Sequence, residues 1–206
     1  LHLLTSTDLK EAKVLALELE QTNKERKEIQ EETVAEAESL FRREINIERD
    51  RVIVLASEIF HPGVIGIAAS RLVDKYHRPT VLIALADGQG KGSGRSIPKF
   101  NLFKAFTNCS DHLTQFGGHA YAAGLSIPED QVEAFRNAMN EVGHRYLTEE
   151  ELIPEVRMDT ELNLEEVDHS LYSRMALLEP FGAENPVPSF LSRGVKLQEV
   201  KFIGKE

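Results

Sequence analysis

An α/β domain of roughly 100–130 residues, preceded by a long helix, is the fold class that the chain's patterning predicts. Three observations carry it. Short apolar runs at Val52–Ala56 and Pro79–Leu85 have the length and composition of buried strands. Segments with apolar residues at helical spacing alternate with them, as in Val64, Ile67, Ala68, Leu72 and Val73. Ahead of both, Thr7–Ile45 has a helical composition but is nearly all polar from Thr22 to Glu32.

The first element is therefore one long helix or two collinear ones, capped by Asp8 with Glu11 three residues on. A helix polar all round commonly bridges two domains; the plainer alternative is a solvated surface helix. Val52–Ala56 is the first strand, broken by His61-Pro62-Gly63, and Val64–Tyr76 is the helix that follows. Pro79–Leu85 is the second strand, and Asp87-Gly88-Gln89-Gly90 turns the chain into a third, Lys91–Ile97. Glycines weaken that third strand, a pattern that marks a close approach of backbone or ligand. A helix over Leu102–Leu113, with Asn101 as its cap, leads to the glycine pair Gly117-Gly118. Ala122–Ile127 is a strand, and Pro128 opens a helix to about Tyr146 that faces Val132, Phe135, Met139 and Val142 inward. Val156–Leu162 alternates as a strand, Asn163 caps a helix over Leu164–Leu178, and Glu179–Pro188 is an extended, proline-rich joint. Val195–Ile203 alternates as the opening strand of another domain. The expected divisions are 1–48, a connector helix; 49–150, the α/β domain; 151–190, a helix and joint; and 191–206, that opening strand. A first residue that is not Met, and a last segment in mid-strand, lead us to expect a piece of a longer protein.

The chain has 206 residues and a net charge of −10, whereas a general nucleic-acid binder is usually basic. The charge is uneven. Between Arg71 and Lys104, seven bases (Arg71, Lys75, Arg78, Lys91, Arg95, Lys99 and Lys104) face only Asp74 and Asp87. A local basic face on an acidic body can still steer a polyanion. No apolar run reaches the roughly 18 residues of a membrane span, and no membrane partner is expected. The single Cys109 excludes an internal disulfide, fits a reducing cytoplasm and is expected to be a packing residue.

Two segments have the parts of a phosphate grip: Gly92-Ser93-Gly94-Arg95-Ser96, and Phe116-Gly117-Gly118-His119 with Ala122-Ala123-Gly124. On a strand, Ser93 and Arg95 share a face, so the hydroxyl and the guanidinium can hold one anion. Ser96 adds a second hydroxyl. The plainer alternative is a surface arginine on a glycine-rich turn. His119, after two glycines, can donate to a phosphate or leaving-group oxygen, or it can simply be a packed structural histidine. His61 stands before a helix N-terminus, where anions are favoured, and Arg71 lies further along that helix; a loop histidine and a solvated arginine are the alternatives. No cluster has metal-ligand spacing, and no nucleophile elbow, Walker loop or dinucleotide fingerprint occurs.

Phe60–Leu72, Gly92–Ser96 and the Gly117-Gly118-His119 … Ala122-Ala123-Gly124 pattern together resemble the C-terminal, DHH-associated domain of the DHH phosphoesterase family. His61-Pro62-Gly63-Val64-Ile65-Gly66-Ile67, the Leu178–Pro186 joint and the long first helix resemble its branch of single-strand-specific 5′→3′ exonucleases. The resemblance implies a mixed sheet flanked by helices, and an OB-like domain of which 191–206 is the first strand. It implies DNA repair and recombination as the setting and single-stranded DNA as substrate. It also implies that Mn²⁺ or Mg²⁺ is bound by a separate N-terminal domain bearing Asp-His-His, a motif absent here. Ser93, Arg95 and His119 then hold the phosphate, with Gly117 and Gly118, against those metals. Phe60 is a candidate for stacking on a base, or an ordinary core residue. Partners implied are that N-terminal domain and a single-strand-binding protein or helicase. The expected function is the substrate-binding half of such an exonuclease, inactive alone. The alternatives are a phosphodiesterase for short oligonucleotides or cyclic dinucleotides, a non-catalytic nucleic-acid-binding module, and a purely structural domain with a tight glycine turn.

Overall fold

The apolar runs become the middle of a five-stranded sheet. The computed structural model describes residues 2–201. In chain order its elements are α1 (His2–Thr5), α2 (Leu9–Glu44), β1 (Ile53–Ser57), α3 (Ile65–Tyr76), β2 (Thr80–Ala86), β3 (Gln89–Arg95), α4 (Leu102–Asn108), β4 (Gln115–Gly118), β5 (Ala122–Pro128), α5 (Val132–Tyr146), β6 (Thr160–Glu161), α6 (His169–Ala176) and β7 (Phe190–Leu191). The chain divides into two compact units, residues 1–154 and 155–206.

In the first unit the strand order is β1-β2-β3-β5-β4. β1 and β2 are parallel, joined through α3; the other pairings are antiparallel, so the sheet is mixed. The β2–β3 hairpin turns on Asp87 and Gly88, both at positive φ (51° and 72°), the tight turn that matches strand twist. One face is closed by α2 and α3, whose Ala37, Leu40, Ile65, Ala68, Ala69 and Leu72 pack on Ile53, Leu55 and Leu82. Phe60 is buried in this layer and is a core residue. The opposite face buries Val54, Val81, Ile83, Leu125 and Ile127 under α4 and α5. Cys109 lies in that core, and burial pushes its thiol up to about 11, which leaves it an inert packing residue. β1 is an edge strand, and α5 covers its edge. Asn140 donates to the Val52 carbonyl and accepts from its N–H, and Arg136 donates to the Val54 carbonyl.

α2 runs for 36 residues, about 54 Å at 1.5 Å per residue. Asp8 caps it by accepting from Lys10 N–H; Glu11 accepts from Ser6, so the expected reciprocal cap is replaced by a serine contact. Only its C-terminal half packs. Phe41 stacks on Tyr76 with ring centroids 3.8 Å apart, and Glu38 takes hydrogen bonds from Lys75 and Tyr76. Burial alone would raise the Glu38 carboxyl, but these two donors prevail and hold it below its ordinary value.

Several expectations change. β4 was absent from the predicted elements, because Gln-Phe-Gly-Gly has no strand signature; pairing with β5 makes it one. The 102–113 helix ends at Asn108, and Ser110–His112 is a separate 3₁₀ turn. Pro128 closes β5, and a 3₁₀ turn over Glu129–Gln131 precedes α5. In the second unit the expected strand over 156–162 shrinks to Thr160–Glu161, paired in parallel with Phe190–Leu191. Asn163 does cap, through a reciprocal box with Glu166, but it caps a 3₁₀ turn; α6 starts later, at His169, with Asp168 as its cap. Residues 195–201 form no strand, and Phe202 and Ile203 of the expected last strand lie outside the described residues.

Candidate nucleic-acid interface

β3 alternates two kinds of residue. Gly90, Gly92 and Gly94 face the α4–α5 core, where an added Cβ would meet Ile83, Leu125 and Leu102 at 2.6–2.7 Å. These glycines therefore leave room for core side chains, and the Gly92 backbone also lines the cleft described next. Lys91, Ser93 and Arg95 take the other face. Register extends that face across the sheet: Ser93 pairs with Gly124, and Gly124 with Gly117; Lys91 pairs with Ser126, and Ser126 with Gln115. A Cβ at Gly117 would meet nothing within 4 Å, and one at Gly124 only the Gly92 carbonyl at 3.6 Å. The strands here form an open floor with bare backbone at its centre. A cleft of about 380 Å³ stands on it, lined by Pro62, Ile65, Lys91, Ser93, Gln115 and Ser126 among others.

Arg95 is half-buried beside this cleft. Its Nη1 donates to Ser93 Oγ at 3.2 Å and to the Gly94 carbonyl at 2.8 Å. Among the described residues it has no carboxylate partner. Ser93 accepts from Arg95, so its own proton is free to be donated. The charge is held in place but not neutralised, which is the state that binds an anion.

α3 is part of the same arrangement. A Cβ at Gly66, in the first turn of α3, would lie 2.8 Å from Arg95 Nη2 and 3.0 Å from Ser93 Oγ. Gly66 was missed as a site residue. Its sequence position gives no sign that α3 crosses over β3. Gly66→Ala is expected to keep or raise the melting temperature, since alanine favours a helix by up to about 1 kcal/mol over glycine. The same change displaces Arg95 and should lower affinity for a phosphate-bearing ligand roughly five- to tenfold, since 1.4 kcal/mol is tenfold. Thermal melting and a binding titration check this; unchanged affinity contradicts it.

Gly118 has φ +138°, and a Cβ there would meet the Ala122 carbonyl and the Ala123 Cα at 2.5 Å. It lets β4 turn tightly into β5. His119 N–H donates to the Ala122 carbonyl at 2.8 Å, and Ala122 pairs with Arg95. His119 therefore sits exposed at the hairpin turn, at the Arg95 end of the floor. His61 stays in the loop before α3, with Nδ1 accepting from Gly63 N–H at 3.1 Å.

Two expected ligands are placed otherwise. Ser96 points off this face; its hydroxyl donates to the Phe100 carbonyl at 2.7 Å and ties the turn before α4. Arg71 is exposed on α3, five residues beyond Gly66 and so about 140° around the axis from the stripe that touches Arg95. Of the other bases in the basic stretch, Lys75 pairs with Glu38, and Arg78 donates to the Tyr76, His77 and Leu152 carbonyls, so both serve the fold. Among the described residues, no group of three or more His, Cys, Asp or Glu is placed to hold a metal. No described helix is long and apolar enough to cross a membrane.

A parallel β1–α3–β2 unit extended by a glycine-floored antiparallel hairpin defines the class: residues 49–144 match the DHHA1 domain. Residues 158–206 match the RecJ OB domain. The particular likeness is to RecJ. The single-stranded-DNA-specific exonuclease RecJ of Bacillus subtilis is 38% identical over 205 residues, 98% of this chain and 26% of that protein. The RecJ of Escherichia coli is 35% identical over 196 residues, 91% of this chain and 34% of that protein. Crystal structures of Thermus thermophilus RecJ in complex with Mg²⁺ and with Mn²⁺ both superpose with a TM-score of 0.78 at 32% identity, covering 91% of this chain and 28% and 27% of theirs. The chain thus spans about a quarter to a third of the length of these relatives.

Proposed function

We propose that this chain is the phosphate-holding part of a RecJ-like, single-strand-specific 5′→3′ exonuclease acting in DNA repair and recombination. The observation that carries it is Arg95, fixed by Ser93 and the Gly94 carbonyl, unpaired by any described carboxylate and set beside a bare glycine floor. Arg95 takes two phosphate oxygens through its fork, and the Ser93 hydroxyl donates to one of them. Gly117 and Gly124 let the sugar–phosphate chain lie against the backbone. His119 supplies a donor to a phosphate or leaving-group oxygen. Lys91 adds charge along the path, and His61 and Arg71 are outlying contacts that steer the strand in.

The RecJ structures with Mg²⁺ and Mn²⁺ support a divalent metal in the whole enzyme. The described residues here do not fit one. The metal would be held by an N-terminal DHH domain of the same polypeptide and would supply activation of water for attack on the phosphodiester. This chain positions and neutralises the phosphate. A single-strand-binding protein or a helicase is a proposed further partner, and the cytoplasm the proposed compartment. We place the domain boundaries near 49 and 150, with α2 as the connector.

The 206-residue chain supplied with Mn²⁺ or Mg²⁺ is expected to release no nucleotide from a 5′-labelled oligonucleotide, yet to bind single strands better than duplex. Hydrolysis by the purified chain, or equal affinity for both forms of DNA, contradicts the proposal.

A further inference from the structure

A second cavity lies on the other side of the sheet, between α4 and α5. It measures about 410 Å³, within the range of roughly 300–1,000 Å³ common for small-molecule sites. Lys99, Asn101, Lys104, Asn108, Val142 and Tyr146 contribute to its lining, and none of its nine lining residues is acidic. That absence is informative on a chain with 34 Asp and Glu against 24 Lys and Arg. Neither lysine is ion-paired among the described residues. The neighbouring polar groups are partly spent on the helix: Asn101 Oδ1 caps α4 through Lys104 N–H, and Thr107 and Asn108 donate to the Phe103 and Lys104 carbonyls. Asn108 Oδ1 and the two ammonium groups remain for a ligand. Tyr146 is 55% exposed, so a ring face is accessible at the rim, while Val142 and Ala105 supply an apolar wall.

We infer that this cavity binds a phosphorylated nucleoside. Lys99 and Lys104 meet the phosphate as point charges, Tyr146 offers its face to the base, and Asn108 Oδ1 accepts from a ring or exocyclic N–H. The site is separate from the cleft but within its reach. Lys99 follows Arg95 by four residues, at most about 14 Å along the chain. The turn between them is tied to the hairpin loop beside His119, through Ser96 N–H to the Tyr121 carbonyl and Leu102 N–H to the Ala120 carbonyl. Two sources share this chemistry: a nucleotide unit of a strand leaving the cleft, and a free mononucleotide. The inference extends the phosphate chemistry proposed for the cleft to a second place, and stands or falls on different residues.

The test is an amide NMR titration of the 206-residue chain with dTMP, and separately with a ten-residue oligo(dT). The expected result is that dTMP shifts amides of Lys99–Asn108 and Tyr146, and that these shifts persist in Arg95→Ala. Thymidine without phosphate and inorganic phosphate without base should each bind at least fivefold more weakly. Lys99→Gln with Lys104→Gln, and separately Tyr146→Ala, should each weaken dTMP binding by at least fivefold; all three side chains are exposed, so the fold should tolerate the changes. If oligo(dT) moves the same amides the occupant is the strand; if only dTMP does, it is the free mononucleotide. Unmoved pocket amides with both ligands, or dTMP binding unaltered in both variants, overturn the inference. Loss of the pocket shifts in Arg95→Ala also overturns it, since the binding would then belong to the cleft.

Discussion

Gly118→Ala should cost the first unit about 3 kcal/mol or more, and lower its melting temperature by roughly 6–12 °C. Two effects add. A φ of +138° is a backbone conformation that alanine rarely adopts, and the new Cβ would stand 2.5 Å from both the Ala122 carbonyl and the Ala123 Cα. Neither neighbour is a flexible side-chain tip; both are the backbone of the paired strand. Relief requires β4 to move away from β5, which carries His119 with it. Gly117→Ala is the matched comparison. Its Cβ meets nothing within 4 Å, so stability should be unchanged or slightly raised, while the floor of the cleft fills and single-strand binding weakens. Circular-dichroism melts of both variants check the pair. A Gly118→Ala melt equal to wild type would contradict a tight β4–β5 hairpin that only glycine fits.

Arg95→Ala in a full-length enzyme is expected to lower kcat/KM about 10²–10³-fold, the range seen when one preorganised donor to a developing negative charge is removed. The cost is high because Arg95 is prealigned: one nitrogen is spent on Ser93 and Gly94, and the rest of the fork is left for the phosphate. Arg95→Lys should recover only part of the loss, since an ammonium keeps the charge but not the paired, planar donors. Steady-state degradation of a single-stranded oligonucleotide checks both. Wild-type kinetics in Arg95→Ala would take this residue out of the site.

What could be read from the residues depended on how local its cause was. β1, β2, β3 and β5 are legible to within two residues, because apolar runs and turn residues specify them. β4 was not, since its strand character comes from pairing with β5. The Ser93–Arg95 face follows from simple alternation. The role of Gly92 and Gly94 does not, because the same alternation turns them toward Leu125 and Leu102, whose positions only the folded chain reveals. Gly66 was hidden for the same reason. It supports Arg95 across a contact between α3 and β3 that no spacing rule encodes. Ser96 looked equivalent to Ser93 and is not, because its hydroxyl is occupied by the Phe100 carbonyl. In the second unit the alternation at 156–162 yields only the short β6, which shows how weak a single alternating segment is without a partner strand.

In the proposed function, Arg95 on the glycine floor grips a phosphate of single-stranded DNA. The most direct test is the affinity of the 206-residue chain for a single-stranded oligonucleotide as salt is varied, wild type against Arg95→Ala. Single-strand binding loses about 0.7 in log–log slope for each phosphate contact removed. Arg95→Ala should bind more weakly than wild type at low salt, with a slope shallower by about that amount. Equal affinity and an equal slope for the two proteins would contradict it.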